Sequence, residues 1–282
     1  MMAGLRDGLL ALGYREGEQF VIGVRFTQGD IAALPAAARD LVQSGADVIF
    51  AADATAARAA QQATNRVPIV FAALVGDPVD LGFVQSFARP GGNITGVTDS
   101  DIELSGKRLE IFKEMVPGLK RVLFPYDLND AYAVAAARVY RDAARQLGVV
   151  LVEKPVRTEE EVRTVLARLR KGEVDGIVVP SNVSLNIPGF VLDATSQRAI
   201  PTMFIGAFYV ERGGLASYGP DTYESGRLAA RLVDKIVKGE DPGRIPVEAN
   251  PKFELAINVK TANALKLAMP PSVLQRANRL IE

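Results

Sequence analysis

Apolar residues along this chain fall into two alternating rhythms. Short unbroken runs bounded by Gly, Pro or Asp read as buried parallel strands, and runs repeating every three to four positions read as amphipathic helices. The first series predicts helix Leu5–Leu12 stopped by Gly13, strand Phe20–Phe26 and helix Ile31–Gln43 closed by Gly45. Strand Asp47–Phe50, helix Thr55–Thr64, strand Pro68–Ala72 and strand Ile94–Val97 follow. Near residue 98 the rhythm restarts with helix Ile102–Met115, strand Arg121–Phe124, helix Ala131–Leu147 ended by Gly148, and strand Val149–Glu153. Thr158 and Glu161 form a capping-box pattern ahead of a helix that sets Val162, Val165, Leu166 and Leu169 on one face. Strand Gly176–Val179, a helix ending near Arg198, and strands Pro201–Phe204 and Gly214–Ser217 complete the second series. An amphipathic helix over 221–238 leads to strands Pro246–Glu248 and Phe253–Asn258 and short helices over 260–266 and 271–281.

Repeated βα units of this kind predict an α/β protein with doubly wound, flavodoxin-like sheets. We expect two lobes: residues 1–98 with a return segment over 221–245, and residues 99–220, joined by a multi-crossing hinge. The strands and helices of 246–282 are not assigned to either lobe. Ligands of open α/β sheets bind beyond the carboxyl ends of strands, so the ligand space is expected between the lobes.

Composition narrows the chemistry. The chain has no histidine and no cysteine. That removes imidazole bases, thiolate nucleophiles and their metal sites, and shifts the reading from catalysis to binding. No metal or cofactor is expected. Net charge is zero, with acidic and basic residues interspersed, which argues against a nucleic-acid partner. No apolar stretch approaches the roughly 18 residues of a membrane span.

Two stretches carry a family resemblance. One is Val67-Pro68-Ile69-Val70-Phe71, Gly76-Asp77-Pro78-Val79 and Ala88-Arg89-Pro90-Gly91-Gly92-Asn93-Ile94-Thr95-Gly96. The other is Gly214-Leu215-Ala216-Ser217-Tyr218-Gly219-Pro220-Asp221, Gly226-Arg227-Leu228-Ala229-Ala230 and Ile236-Val237-Lys238-Gly239. It continues through Pro246-Val247-Glu248, Ile257-Asn258-Val259-Lys260-Thr261-Ala262 and Pro270-Pro271. Collinear over essentially the whole chain, these resemble the ABC-transporter substrate-binding proteins whose characterised relatives bind tryptophan or tyrosine. The resemblance implies a type I periplasmic-binding-protein fold that closes on a small solute and passes it to ABC permease subunits, working as a monomer.

The chain departs from that family at its start. It opens Met1-Met2-Ala3-Gly4-Leu5-Arg6-Asp7, without a basic and apolar export signal. In a sheet of order 2-1-3-4-5 the first strand is central, and here it is missing ahead of Leu5–Leu12. We expect roughly 30–60 natural residues before Met1, supplying an export signal and that strand. With such a signal the location is periplasmic or lipid-anchored at the cell surface; a genuine cytoplasmic variant is the alternative.

The carboxyl ends of the predicted strands single out the candidate binding residues. Asp53, Ala54 and Thr55 open a helix after Asp47–Phe50, and serve either as its cap or as a ligand contact. Asp77 precedes Pro78 in a rigid turn or at the cleft wall. Thr98 and Asp99 sit where the chain crosses between lobes. Tyr126 and Asn129 lie in the stretch after Arg121–Phe124, where a ring can stack on a planar ligand. Ser181 and Asn182 follow Gly176–Val179, and Gly206 and Phe208 follow Pro201–Phe204. Asp221 reads both as an N-cap, with Glu224 completing a capping box, and as a partner for a ligand ammonium. These candidates are rich in Asp, and no Arg or Lys stands at a predicted strand end. The expected ligand therefore carries an amine or other hydrogen-bond donors and a planar apolar part. Two other classes stay open: a ligand-sensing regulatory domain of the same fold, for which no helix-turn-helix is present, and an enzyme without a G-x-G-x-x-G fingerprint.

Overall fold

The computed structural model describes residues 1–27, 30–99, 102–170, 172–179, 185–196 and 198–282. In chain order they form α1 (Met2–Ala11), α2 (Leu34–Gln43), β1 (Ile49–Ala51), α3 (Ala54–Ala63), β2 (Ile69–Val75), β3 (Ile94–Asp99) and α4 (Leu104–Met115). Next come β4 (Arg121–Asp127), α5 (Ala131–Leu147), β5 (Val150–Val156), α6 (Glu159–Arg168), β6 (Gly176–Val178), α7 (Ile187–Ser196), β7 (Thr202–Phe204) and α8 (Ala207–Val210). The chain ends with β8 (Ala216–Pro220), α9 (Thr222–Val237), β9 (Glu248–Ala249), β10 (Phe253–Asn258), α10 (Val259–Ala264), α11 (Pro271–Arg276) and β11 (Arg279–Ile281). It divides into two compact units, Met1–Ser100 with Pro220–Lys252, and Asp101–Gly219 with Phe253–Glu282.

In the first unit the described residues form a parallel sheet of order β1-β2-β3-β9. Alternate residues of β2 face opposite ways, as the two-residue period of a strand requires. Val70 and Ala72 pack with Leu5, Leu9, Leu228 and Leu232 of α1 and α9, while Ile69 and Phe71 pack with Ala57 and Ala60 of α3. α1 and α9 approach backbone to backbone. A Cβ on Gly4 would lie 1.9 Å from the Tyr223 carbonyl oxygen, and one on Gly226 would lie 2.1 Å from that of Met1. Only glycine permits this contact.

In the second unit the sheet order is β11-β10-β8-β7-β6-β4-β5. Its first five strands in chain order therefore lie 2-1-3-4-5, the doubly wound arrangement. Val122, Phe124 and Tyr126 of β4 face Leu109, Phe112 and Tyr140 of α4 and α5. Leu123, between them, faces Val162 and Leu166 of α6 and Phe190 and Val191 of α7. Burying each of these aliphatic side chains contributes about 2 kcal/mol.

Four expectations need correction. Phe20–Phe26 is not a strand: Phe20 makes one isolated bridge to Glu16, and Val21 and Phe26 are 80% and 86% exposed. The segment pairs with none of the strands β1-β2-β3-β9, so its β-type residues have no ladder partner among the described residues. The helix expected over 31–43 begins as a 3-10 turn, Ile31–Ala33, before α2 starts with Pro35 in its first turn. β4 runs through Pro125 to Asp127 and not only to Phe124. Among the described residues β6 pairs with it at Val122 and Leu123 only, so the proline's missing N–H breaks no described ladder bond on that side. Finally, the helix expected over 271–281 stops at Arg276. Asn278 exchanges hydrogen bonds with Leu255, at 2.9 Å through its amide and 2.8 Å through Oδ1, and sets β11 beside β10.

Candidate functional site

Strands that run parallel bring their carboxyl ends to one edge, and the helix that follows each strand begins there. Three of the predicted residues, Asp53, Gly206 and Asp221, are accordingly helix starters. In the first unit Asp53 is exposed at the end of β1, caps α3 and accepts the Ala56 amide at 2.7 Å. Ala54 and Thr55 form the first turn of α3. Asp77, exposed beyond β2, accepts the Val79 amide at 2.7 Å. Thr98 is buried, and its hydroxyl lies 3.1 Å from the Leu74 carbonyl and 3.2 Å from that of Gly76. β2 carries a register shift between Phe71 and Leu74, with Ala73 at φ 52°. Non-glycine residues reach that left-handed region at a strain that bulges concentrate near functional edges.

Asp99 is buried and accepts from the Ser225 hydroxyl at 3.1 Å. Asn250 Nδ2 donates to Ser225 Oγ and to the Asp221 carbonyl, both at 2.9 Å. Its own amide donates to the Thr98 carbonyl at 3.0 Å. This network ties together β3, the start of α9 and the segment after β9. Asp221 caps α9, accepting from the amides of Tyr223 at 2.9 Å and Glu224 at 3.2 Å. The capping box is not completed: Glu224 pairs with Lys252 Nζ at 3.0 Å, and the Asp221 amide donates to the Lys252 carbonyl.

In the second unit Tyr126 belongs to the strand, not to the loop after it. Its ring is buried and stacks on Phe124 at 5.4 Å, and its hydroxyl lies 3.4 Å from Glu153. Burial, then the nearby Glu153 charge, raises the Tyr126 phenol. The Arg141 guanidinium, bonded to Glu153 at 2.9 and 2.7 Å, holds that carboxyl below its usual range. Asn129 is exposed, and its amide donates to Asp127 Oδ1 at 2.8 Å. Asp130 is the cap of α5, accepting the Tyr132 amide at 2.8 Å. Burial raises its carboxyl, and Asp127 adds to the rise. Gly206 is the residue before α8. Phe208 is 53% exposed with the Arg212 guanidinium 3.4 Å from its ring centre, whereas Tyr209 stacks on Phe204 at 5.1 Å. Ser181 and Asn182 lie outside the described residues. A hollow of about 380 Å³ over the first turn of α6 is lined by Pro155, Val156, Thr158, Glu160, Glu161, Thr164 and Val165. None of the predicted residues lines it, and its shallow acidic wall gives no reason to prefer it to the strand ends.

A family model described as ABC transporter substrate binding protein matches residues 1–281. The chain belongs to that family. Over 256 residues it is 30% identical to the tyrosine-binding protein of Clostridioides difficile (strain R20291), covering 90% of this chain and 73% of that one. It is similar to the structure of a conserved domain protein from Vibrio cholerae O1 biovar El Tor strain N16961, with TM-score 0.82 and 31% identity over 99% of this chain and 93% of that one. It is similar also to an ABC domain in complex with L-Trp from Streptococcus pneumonia, with TM-score 0.83 and 26% identity over 99% and 94% of the two chains. The fold is that of type I periplasmic binding proteins.

Sequence reasoning missed one prominent group of this substrate-binding protein. Arg108 of α4 is 1% exposed, with Nε 2.7 Å from the Tyr218 carbonyl and Nη1 2.8 Å from the Tyr140 hydroxyl. A signal existed: Arg108 stands one turn before Phe112 on the face that also holds Ser105 and Met115, all of them buried. Among the described residues no group of three carboxylates is placed to hold a metal ion, and no helix is long and apolar enough to cross a membrane.

Proposed function

We propose that this chain captures an aromatic amino acid outside the cytoplasmic membrane and delivers it to an ABC permease, acting as a monomer without catalysis. The observation that carries this reading is the pair of relatives aligned over nine-tenths or more of the chain, one a tyrosine-binding protein and one solved with L-Trp. Two features of the chain support it. The exposed Phe208 ring beyond β7 offers an aromatic platform, and the acidic residues beyond β1, β2 and β4 suit a ligand ammonium. The ligand-contacting residues in this reading are Asp53, Ala54, Thr55, Asp77, Thr98, Asp99 and Asp221 from the first unit, and Tyr126, Asn129, Ser181, Asn182, Gly206 and Phe208 from the second.

Isothermal titration of the purified chain with L-tyrosine, L-tryptophan, L-leucine and myo-inositol tests it. Binding of the aromatic amino acids alone is expected, and at a hundredfold excess over Kd it stabilises the fold by about 2.7 kcal/mol. Phe208→Ala is expected to weaken that binding about tenfold. Heat from myo-inositol or L-leucine alone, or from none of the four, refutes the reading. Uptake by permease-bearing proteoliposomes only when the chain is added checks delivery.

A further inference from the structure

The first turn of α5 carries an oxygen that the fold leaves unsatisfied. The Tyr132 hydroxyl is shut off from solvent and has no hydrogen-bond partner among the described residues. Buried polar atoms are nearly always paired, and a stranded one lowers stability, so it calls for a purpose. Its position supplies one. α5 runs back from the carboxyl end of β4, so its first turn stands at the edge where solutes bind in open α/β sheets. Tyr132, Ala136 and Tyr140 follow one another at four-residue spacing and share a helix face. Two turns further along that face Tyr140 is fully buried, its ring 4.7 Å from that of Phe124 and its oxygen 2.8 Å from Arg108. Tyr132 thus continues a buried aromatic and polar row up to the strand ends. The polar side chains of the adjoining loop have backbone partners: Asp127 holds the Asn129 amide, Asp130 the Tyr132 amide, and Asn129 Nδ2 reaches the Arg157 carbonyl at 3.5 Å.

We propose that the Tyr132 side chain turns on solute capture, so that its hydroxyl, shut off from solvent in this structure, donates to an acceptor oxygen of the bound solute and selects for solutes carrying that oxygen. The assignment rests on the solute-capture reading above. Tyr132→Phe removes this oxygen and nothing else. Titration of wild type and variant with L-tyrosine and L-tryptophan, with melting of each unliganded protein, is the test. Affinity for a wild-type ligand falls about tenfold in the variant, while its unliganded melting temperature stays the same or rises, because no native hydrogen bond is lost. Equal affinities overturn the assignment, whether or not the variant melts lower; a lower melt with equal affinity means the hydroxyl is satisfied by bound water. Silence of the wild type toward both amino acids overturns the capture reading and takes the assignment with it, an outcome told apart by the wild-type titration alone.

Discussion

Asp221 serves the backbone and, in the proposed function, the ligand, and the two roles separate on substitution. Its Oδ1 accepts two free amides of α9, a 16-residue helix packed on α1 and the sheet. Its own amide and carbonyl are held by Lys252 and Asn250, so the main chain at 221 stays in place when the side chain changes. Asp221→Ala therefore removes the cap and little else, a loss of about 1 kcal/mol. For a chain of this size that lowers the melting temperature by about 2 °C. Asp221→Asn keeps the acceptor and loses only the charge at the positive end of the helix, about 0.3–1 kcal/mol, hence about 1–2 °C. Calorimetric melting of both variants, followed by titration with L-tyrosine, reads the two roles independently. If the carboxylate meets a ligand ammonium, both variants lose affinity by similar factors of about ten or more. Asp221→Ala melting with the wild type would refute the cap reasoning. Asp221→Asn melting as low as Asp221→Ala would show that charge, not hydrogen-bond geometry, carries the effect. Unchanged affinity in Asp221→Asn would remove Asp221 from the ligand site.

Arg108→Met takes a buried guanidinium from the Tyr218 carbonyl and the Tyr140 hydroxyl; a loss of about 3 kcal/mol in urea unfolding is expected, and a loss below about 1 kcal/mol would contradict it. Gly4→Ala drives a Cβ into the Tyr223 carbonyl and is expected to cost about 1–3 kcal/mol despite its better helix propensity; an equal or higher urea midpoint would show that α1 can shift away freely. Asp130→Asn keeps the α5 cap and removes a carboxyl that burial raises. A carboxyl raised in the folded state binds its proton more tightly there than in the unfolded chain, so wild-type stability falls as pH rises past the unfolded value of about 3.9 and through the folded one. The variant should match wild type near pH 3 and exceed it near pH 7, and a variant less stable at neutral pH would reverse the sign and refute the assignment.

The parts of the fold legible in the sequence are those where one local signal sufficed. Gly148 in the left-handed conformation ends α5, and Thr158 caps α6 by accepting the Glu161 amide at 3.2 Å, as their types predict. The misreadings come from partners far along the chain. Nothing between Phe20 and Phe26 says whether a ladder exists beside it, and its β-type residues cannot form one alone. Asn278, a stop for α11, acts through Leu255 more than twenty positions away. Glu224 has the spacing to close a capping box on Asp221 but finds Lys252 instead. Arg108 carried the opposite lesson: its place on an apolar face was visible, but the carbonyl and hydroxyl that make its burial tolerable come from Tyr218 and Tyr140.

The acidic pattern of the candidate site has a structural origin before it has a functional one. Parallel strands deliver helix starts to one edge, each helix start exposes unpaired amides, and Asp answers them best. Asp53, Asp77, Asp127 and Asp221 each accept a backbone amide within three residues. An abundance of aspartate at strand ends would thus arise in this fold with any ligand, and it does not by itself select an ammonium. Groups with no such local duty discriminate better. Phe208 stays exposed while its neighbour Tyr209 is packed away, and the Tyr132 oxygen is buried with nothing to bond. The Tyr132 oxygen weakens the fold slightly in the absence of a partner, whereas the Phe208 ring carries the Arg212 guanidinium on one face and meets Tyr209 edge-on. Affinity lost on removing the hydroxyl, with no loss of unliganded stability, is the signature of a group kept for the solute; the capping aspartates lose both together when truncated to alanine.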